Sequence, residues 1–447
     1  MNDEIQKLIG KYTDGVASEA EVRELENILS ADETLRAEFL EHVNADIAIE
    51  EHPDFPLYKS IADDEANERR SHTPKRIFPR WIWAAAATVG LLIAVGLTQK
   101  FFHSDGVPAR VLGNGNVVVR GGDSRFPLGE QISLNEIDLE AGWLRLELPK
   151  GVVFDVYGPA KGHFMSADRF KLDSGRLNVD VGPLGKGFTV VTEHADIVDL
   201  GTQFGVDVSG DSAAKVAVFS GEVEVHSREG SSNPRLLEEG EGLRLESATT
   251  TSRLMSVNVA DEDRPHRGLS ESQNTFVIRD NLSSDDSLRY YGIVSNGMRE
   301  GVHTYTTHKV VRWWSAENEP FPAELSGADL VQTFHRDRFE EDLEIQVAVE
   351  RDSSIYVLFD ERYETPEWLP EGLTDTGLTV RSGPWRPVMV TRDIEPDSND
   401  EIYVSYRVWR TDVAAGESVT LGESKNYNRT SDQTWRVMYG IAVKPQF

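Results

Sequence analysis

The chain has 447 residues, with 46 basic against 76 acidic side chains, a formal charge of −30 and no cysteine. So acidic a surface repels phosphate backbones, which argues against a direct nucleic-acid partner. The missing cysteine removes disulfides, thiolate catalysis and cysteine-based zinc sites together.

Residues 1–52 read as a small helical domain. Ile5, Leu8, Ile9 and Tyr12 form a first amphipathic stripe that ends near Gly15. Ser18 and Glu21 make a capping box, in which the serine oxygen takes an orphan amide and the glutamate returns the bond. Val22, Leu25, Ile28 and Leu29 then share a face, and a second box at Ser30 and Glu33 opens a helix bearing Leu35, Phe39, Val43 and Ile47. Three helices of this size bury little, so a partner covering part of the apolar surface is expected. Residues 1–65 hold 5 basic and 18 acidic side chains, either a solvated surface or a docking face for a basic protein. Residues 53–80 lose the periodicity and gain proline and charge, as a juxtamembrane linker does.

From Trp81 to Thr98 the chain carries no charge. As a helix this run spans about 27 Å, close to the hydrocarbon thickness of a bilayer. Trp81, Trp83, Phe101 and Phe102 stand at its ends, where aromatic rings favour the headgroup level. We expect one transmembrane helix over 81–102. Arg69, Arg70, Lys75, Arg76 and Arg80 precede it, which places residues 1–80 inside and the rest outside.

Beyond the span the hydrophobic period falls from 3.6 to 2. Leu144, Leu146 and Leu148 alternate with polar residues, as do Leu177, Val179 and Val181, then Val223 and Val225. Glycine-containing turns punctuate these runs, which predicts a mainly β domain over 107–250, a sandwich or a short β-solenoid. A second β domain is expected over 270–447, a jelly-roll-like sandwich. There Ile345, Val347 and Val349 alternate, and so do Ile402, Val404, Tyr406 and Val408.

Within the first of these domains, Asp199-Leu200-Gly201-Thr202-Gln203-Phe204-Gly205-Val206 is followed by Val216-Ala217-Val218-Phe219-Ser220-Gly221-Glu222-Val223-Glu224-Val225, then by Leu237-Glu238-Glu239-Gly240-Glu241-Gly242. Upstream stands Leu172-Asp173-Ser174-Gly175-Arg176-Leu177. The stretch 107–248 resembles the periplasmic domain of the FecR family, with its LGT-x-F-x-V strand and its V-x-V-x-x-G-x-V-x-V hairpin. Physically the motif is a folding signature. Gly201 and Gly221 suit positive φ or close backbone approach, and Phe204, Val218 and Val223 suit a core, with Thr202 between the two sets.

The resemblance implies a single-pass regulator of the bacterial inner membrane, with a cytoplasmic N-terminus and a periplasmic C-terminal region. Its cytoplasmic helices would hold an extracytoplasmic-function sigma factor, and its periplasmic part would receive a signal. Leu25, Ile28, Phe39 and Val43 are the expected sigma-factor contacts. Only His42 and His52 could serve zinc in the N-terminal segment, so a metal-free version of that domain is expected. The chain departs from the family beyond residue 270, where members tied to outer-membrane iron transporters usually end in a small α/β domain.

Six of the nine tryptophans fall in the last domain. Trp313 and Trp314 are candidates for stacking on a glycan, the alternative being core packing or protein contact. That option supports a second function class, an envelope anchor or adhesin binding glycan or a surface protein. Glu340, Glu341, Asp342, Glu344, Asp360 and Glu361 could supply a glycosidase pair, and His303, His308 and His335 a metal site. Solvated acids and opposite strand faces are the simpler expectations. No catalytic residue, cofactor or metal is assigned.

Overall fold

The computed structural model of the chain describes residues 106–446, apart from 122–125, 209–212, 229–233, 248, 260–267, 271–273, 284–286, 308–309, 363, 386–390, 392–393, 398 and 425–435. The expected helical domain, linker and membrane span lie outside the described residues. Among the described residues no helix is long and apolar enough to cross a membrane.

The first β unit is a 13-stranded sheet. Its strands are β1 (Val107–Val119), β2 (Gln131–Leu134), β3 (Glu136–Glu147), β4 (Val153–Ser166), β5 (Arg169–Asp180), β6 (Thr189–Val191), β7 (Ala195–Asp199), β8 (Gln203–Val208), β9 (Ala214–Ser220), β10 (Glu222–Ser227), β11 (Arg235–Glu238), β12 (Gly242–Leu245) and β13 (Thr251–Arg253). Strands β2, β1, β3, β4 and β5 pair in that order, and the sheet divides at β5. Arg169–Lys171 of β5 pair in parallel with β6, from which β7, β10 and β11 continue. Gly175–Asp180 pair antiparallel with β8, followed by β9, β12 and β13.

The two leaves close over one core that holds Leu144, Phe154, Leu177, Ile197, Phe204, Val218, Val223 and Leu237. A solenoid stacks parallel strands coil on coil. Here the described ladders are antiparallel except for β5–β6, so the unit is a split sandwich.

The second unit joins an eight-stranded sheet to a three-stranded one. Its strands are β14 (Ser256–Asn258), β15 (Phe276–Asp280), β16 (Tyr291–Val294), β17 (Arg312–Ser315), β18 (Asp329–Gln332), β19 (Ile345–Val349), β20 (Ser353–Asp360), β21 (Thr374–Trp385), β22 (Ile402–Val413), β23 (Ser418–Leu421) and β24 (Gly440–Pro445), with a single-turn helix α1 (Trp368–Gly372) before β21. The larger sheet runs β14-β16-β18-β24-β20-β22-β21-β17 and the smaller β15-β19-β23. Strand β22 shows the expected alternation, burying Ile402, Val404, Tyr406 and Val408. Strand β20 is buried at every position because it lies mid-sheet with both faces covered.

Candidate functional site

The LGT segment and the following hairpin build one corner. Strand β7 ends at Asp199, and the chain crosses through Leu200, Gly201 and Thr202 into β8 in the other leaf. Strand β9 crosses back through Gly221 into β10. Gly201 has φ 108° and Gly221 φ 76°, conformations that L side chains rarely adopt. A methyl group at Gly221 would stand 2.6 Å from the Gly201 carbonyl oxygen, so the two turns touch backbone to backbone. The Thr202 hydroxyl and the Leu200 N–H both donate to the Glu222 carbonyl, fastening one crossing to the other. Phe204, Val218 and Val223 are fully buried beside them, as are Val206 and Val216.

Asp199, unlike the exposed Glu222 of the same corner, is wholly buried. Its Oδ2 accepts the Gly201 N–H at 2.8 Å, while Oδ1 has no hydrogen-bond partner. Burial raises its pKa to about 6, against the lowering effect of the Gly201 N–H bond. Two glycines, a committed hydroxyl and a single buried acid form a turn-fixing device rather than a reaction centre.

Strand β9 also joins the two units. Val216 and Val218 point into the first core, whereas Ala217 and Phe219 belong to the core of the second. The Tyr290 hydroxyl donates to the Val218 carbonyl at 2.9 Å, and its ring meets Phe219 edge-on at 6.3 Å. Backbone bonds from Tyr290 to Gly240 and from Gly242 to Leu288 continue the seam. Beside it, Arg253 binds both oxygens of Asp280, at 2.7 and 2.8 Å, and Tyr291 donates to the same carboxylate. Arg289 pairs with Asp337 at 2.5 Å and with Glu340 at 2.7 Å. Burial nevertheless pushes Asp337 up to about 7, with Arg289 opposing. Sequence reading missed this seam, although the unbroken apolar run Val216–Phe219 signals a strand covered on both faces.

The remaining candidates separate. Trp313 is 0% exposed, with its ring against Gly440 and 4.8 Å from Tyr406, so the expectation that it stacks on a glycan is corrected. A core ring has no free face for a sugar. Trp314 is half-buried and donates its indole N–H to the Gly383 carbonyl. Asp360 is held by Arg362 through both oxygens, and Glu340 by Arg289, which commits these acids to ion pairs. His335 lies 4.7 Å from the Tyr305 ring and 5.2 Å from that of Trp385, packed among aromatics. His308 lies outside the described residues. Among the described residues no group of three or more His, Cys, Asp or Glu could hold a metal ion. Leu25, Ile28, Phe39 and Val43 also lie outside them.

Residues 156–224 match the family model described as FecR protein. Two structures of a candidate anti-sigma factor from Parabacteroides distasonis overlap the chain at 25% identity and a TM-score of 0.22. They cover 27% of this chain and 57% and 56% of their own, so the chain spans little more than half of their length. A β-glucuronidase of glycoside hydrolase family 2 overlaps 70% of this chain and 38% of its own, at 12% identity and a TM-score of 0.29. No curated protein sequence matches the chain. Residues 156–224, which hold both crossings of the corner, thus carry a FecR-family domain.

Proposed function

We propose that the chain is a single-pass signalling regulator of the bacterial inner membrane. Its cytoplasmic helices bind an extracytoplasmic-function sigma factor, and its external β units receive the signal. The observation that carries this reading is the FecR match over 156–224, because that family is regulatory rather than enzymatic. The uncharged run Trp81–Thr98 and the two capping boxes before it supply the parts such a regulator needs. The committed ion pairs of the second unit agree with a receptor rather than a hydrolase.

Leu25, Ile28, Phe39 and Val43 would anchor the sigma factor, and Glu21, Glu24, Glu38 and Glu41 would steer a basic partner. The test is to cross-link the full chain in its native membranes and identify the captured RNA-polymerase subunits. Substituting Leu25 or Phe39 by Asp, in chains that still reach the membrane at wild-type level, should lower capture at least about tenfold. Undiminished capture by these variants, or capture of no sigma factor, would defeat the reading. An envelope anchor would then be the remaining account.

A further inference from the structure

Both ends of strand β5 lie at the corner end of the first unit. Strands β6 and β8 start beside the crossing that follows Asp199, and both run away from it. The first residues of β5 pair in parallel with β6, while its last pair antiparallel with β8, Asp180 opposite Gln203. The strand therefore leaves the corner in one leaf and returns to it in the other. Its preceding turn (166–169) and its following turn (181–188) share that end. So does the β3–β4 turn, because Glu147 opposes Val153 and Val153 opposes Asp180. Arg110 opposes Glu147 across the sheet, so Val107, where β1 begins, stands there as well.

Exposed apolar side chains collect at this end. Among the described residues the large apolar side chains more than half exposed are Leu184 at 80%, Leu128 at 71% and Met165 at 55%. Leu128 lies on the flank, where the next residue, Gly129, donates its N–H to the Val111 carbonyl. Leu184 and Met165 lie on the two turns that flank β5. Gly185 presses on Val152, whose Cγ2 would stand 2.6 Å from a Cβ there, and its N–H donates to the Gly182 carbonyl. The turn is thus packed against the sheet while Leu184 projects from it. One exposed leucine is ordinary on a soluble surface. Two such side chains on turns at one end, where β1 begins, mark a surface with a place to go.

Four residues, 103–106, separate Phe102 from Val107. Fully extended, they let Val107 stand at most about 18 Å from Phe102. If 81–102 spans the membrane, the corner end is tethered close to the headgroups in any conformation of the link. We propose that this end rests on the leaflet from which the chain emerges, with Leu184 and Met165 entering the boundary between headgroups and acyl chains. Lys150 and Lys186 are exposed on the same turns and committed to no ion pair among the described residues, so their ammonium groups reach lipid phosphates. Asp168 and Glu222 stand exposed at this end too, so net charge gives no attraction and the apolar side chains carry the contact. The proposal rests on the reading of 81–102 as a span and is independent of sigma-factor binding.

The chain has no cysteine, so Leu184→Cys, Met165→Cys and Glu193→Cys variants of the full chain each take one fluorophore. Glu193 is exposed in the turn between β6 and β7, at the opposite end of the unit. The chains are reconstituted in vesicles of phosphatidylethanolamine and phosphatidylglycerol that contain a lipid with a nitroxide near its headgroup. Quenching at positions 184 and 165 should exceed that at 193 at least about threefold. Adding Leu184→Asp to the Met165→Cys chain should cut its quenching at least about twofold. An alkaline wash of the vesicles separates this contact from the span. Release of the chain by the wash overturns both. A retained chain whose positions 184 and 165 are quenched no more than 193 overturns the contact alone. Labels that quench one another as chain density rises, without quenching by lipid, give the surface to a second copy and also overturn it.

Discussion

Gly201 and Gly221 meet across the corner of the FecR domain, the carbonyl of the first occupying the space that a Cβ on the second would need. This backbone contact is where the chain passes between the two leaves. The two glycines are constrained differently. Gly201 has open space around its missing side chain and only its φ of 108° to protect, while Gly221 has both a positive φ and a neighbour.

Gly201→Ala should therefore destabilise the external region by roughly 1–2 kcal/mol, through backbone strain alone. Gly201→Val should cost roughly 1–3 kcal/mol, since it adds stiffness at the same φ. Gly221→Ala should cost more, roughly 2–4 kcal/mol, because steric displacement of the opposing turn adds to the strain. Denaturant melts of the three variants give the order directly. Equal stability of Gly221→Ala and wild type would show that the turns are not in contact.

The buried Asp199 makes stability depend on pH. Its folded pKa of about 6 lies above the ordinary 3.8, so the folded state holds the proton more tightly between those values. The stability linked to it is complete below about pH 4 and falls by about 2–3 kcal/mol as pH rises through 6. Asp337, raised to about 7, acts in the same direction over a somewhat higher range. Asp199→Asn keeps an acceptor for the Gly201 N–H and should flatten the fall without removing the Asp337 part. Urea melts between pH 4.5 and 7.5 would check it, and an unchanged slope in the variant would assign the effect elsewhere.

Phe219 ties the two β units through a strand of the first. Phe219→Ala should cost about 3–5 kcal/mol by opening a cavity in the second core. It should also split a shared thermal transition into two. Tyr290→Phe, which loses only the hydroxyl bond to Val218, should cost about 1 kcal/mol and keep one transition. Differential scanning calorimetry separates these outcomes, and a single unshifted peak for Phe219→Ala would mean that the seam does not couple the units.

The basic cluster from Arg69 to Arg80 predicts how the full chain is oriented. Protease added to intact spheroplasts should leave a protected fragment of about a hundred residues that retains an N-terminal tag. Protection of the 107–447 portion, with loss of that tag, would reverse the topology.

Local pattern was enough to locate most strands and the two glycine turns at Gly201 and Gly221. Leu144, Leu177 and Val223 each sit in a run whose alternation reports one buried and one open face, and Gly201 and Gly221 interrupt such runs where side chains could not follow. What the residues meet across long separations was not legible. Phe219 and Ala217 lie in an apolar run whose outward half is covered by Tyr290 and its neighbours, a fact that depends on the fold beyond the domain. Trp313 and Trp143 show the same limit from opposite sides. Both are tryptophans in alternating strands, yet one is sealed beneath Tyr406 and the other lies open over two glycines. A sequence assigns a side chain to one of two faces, and only the tertiary structure decides which face another element will cover.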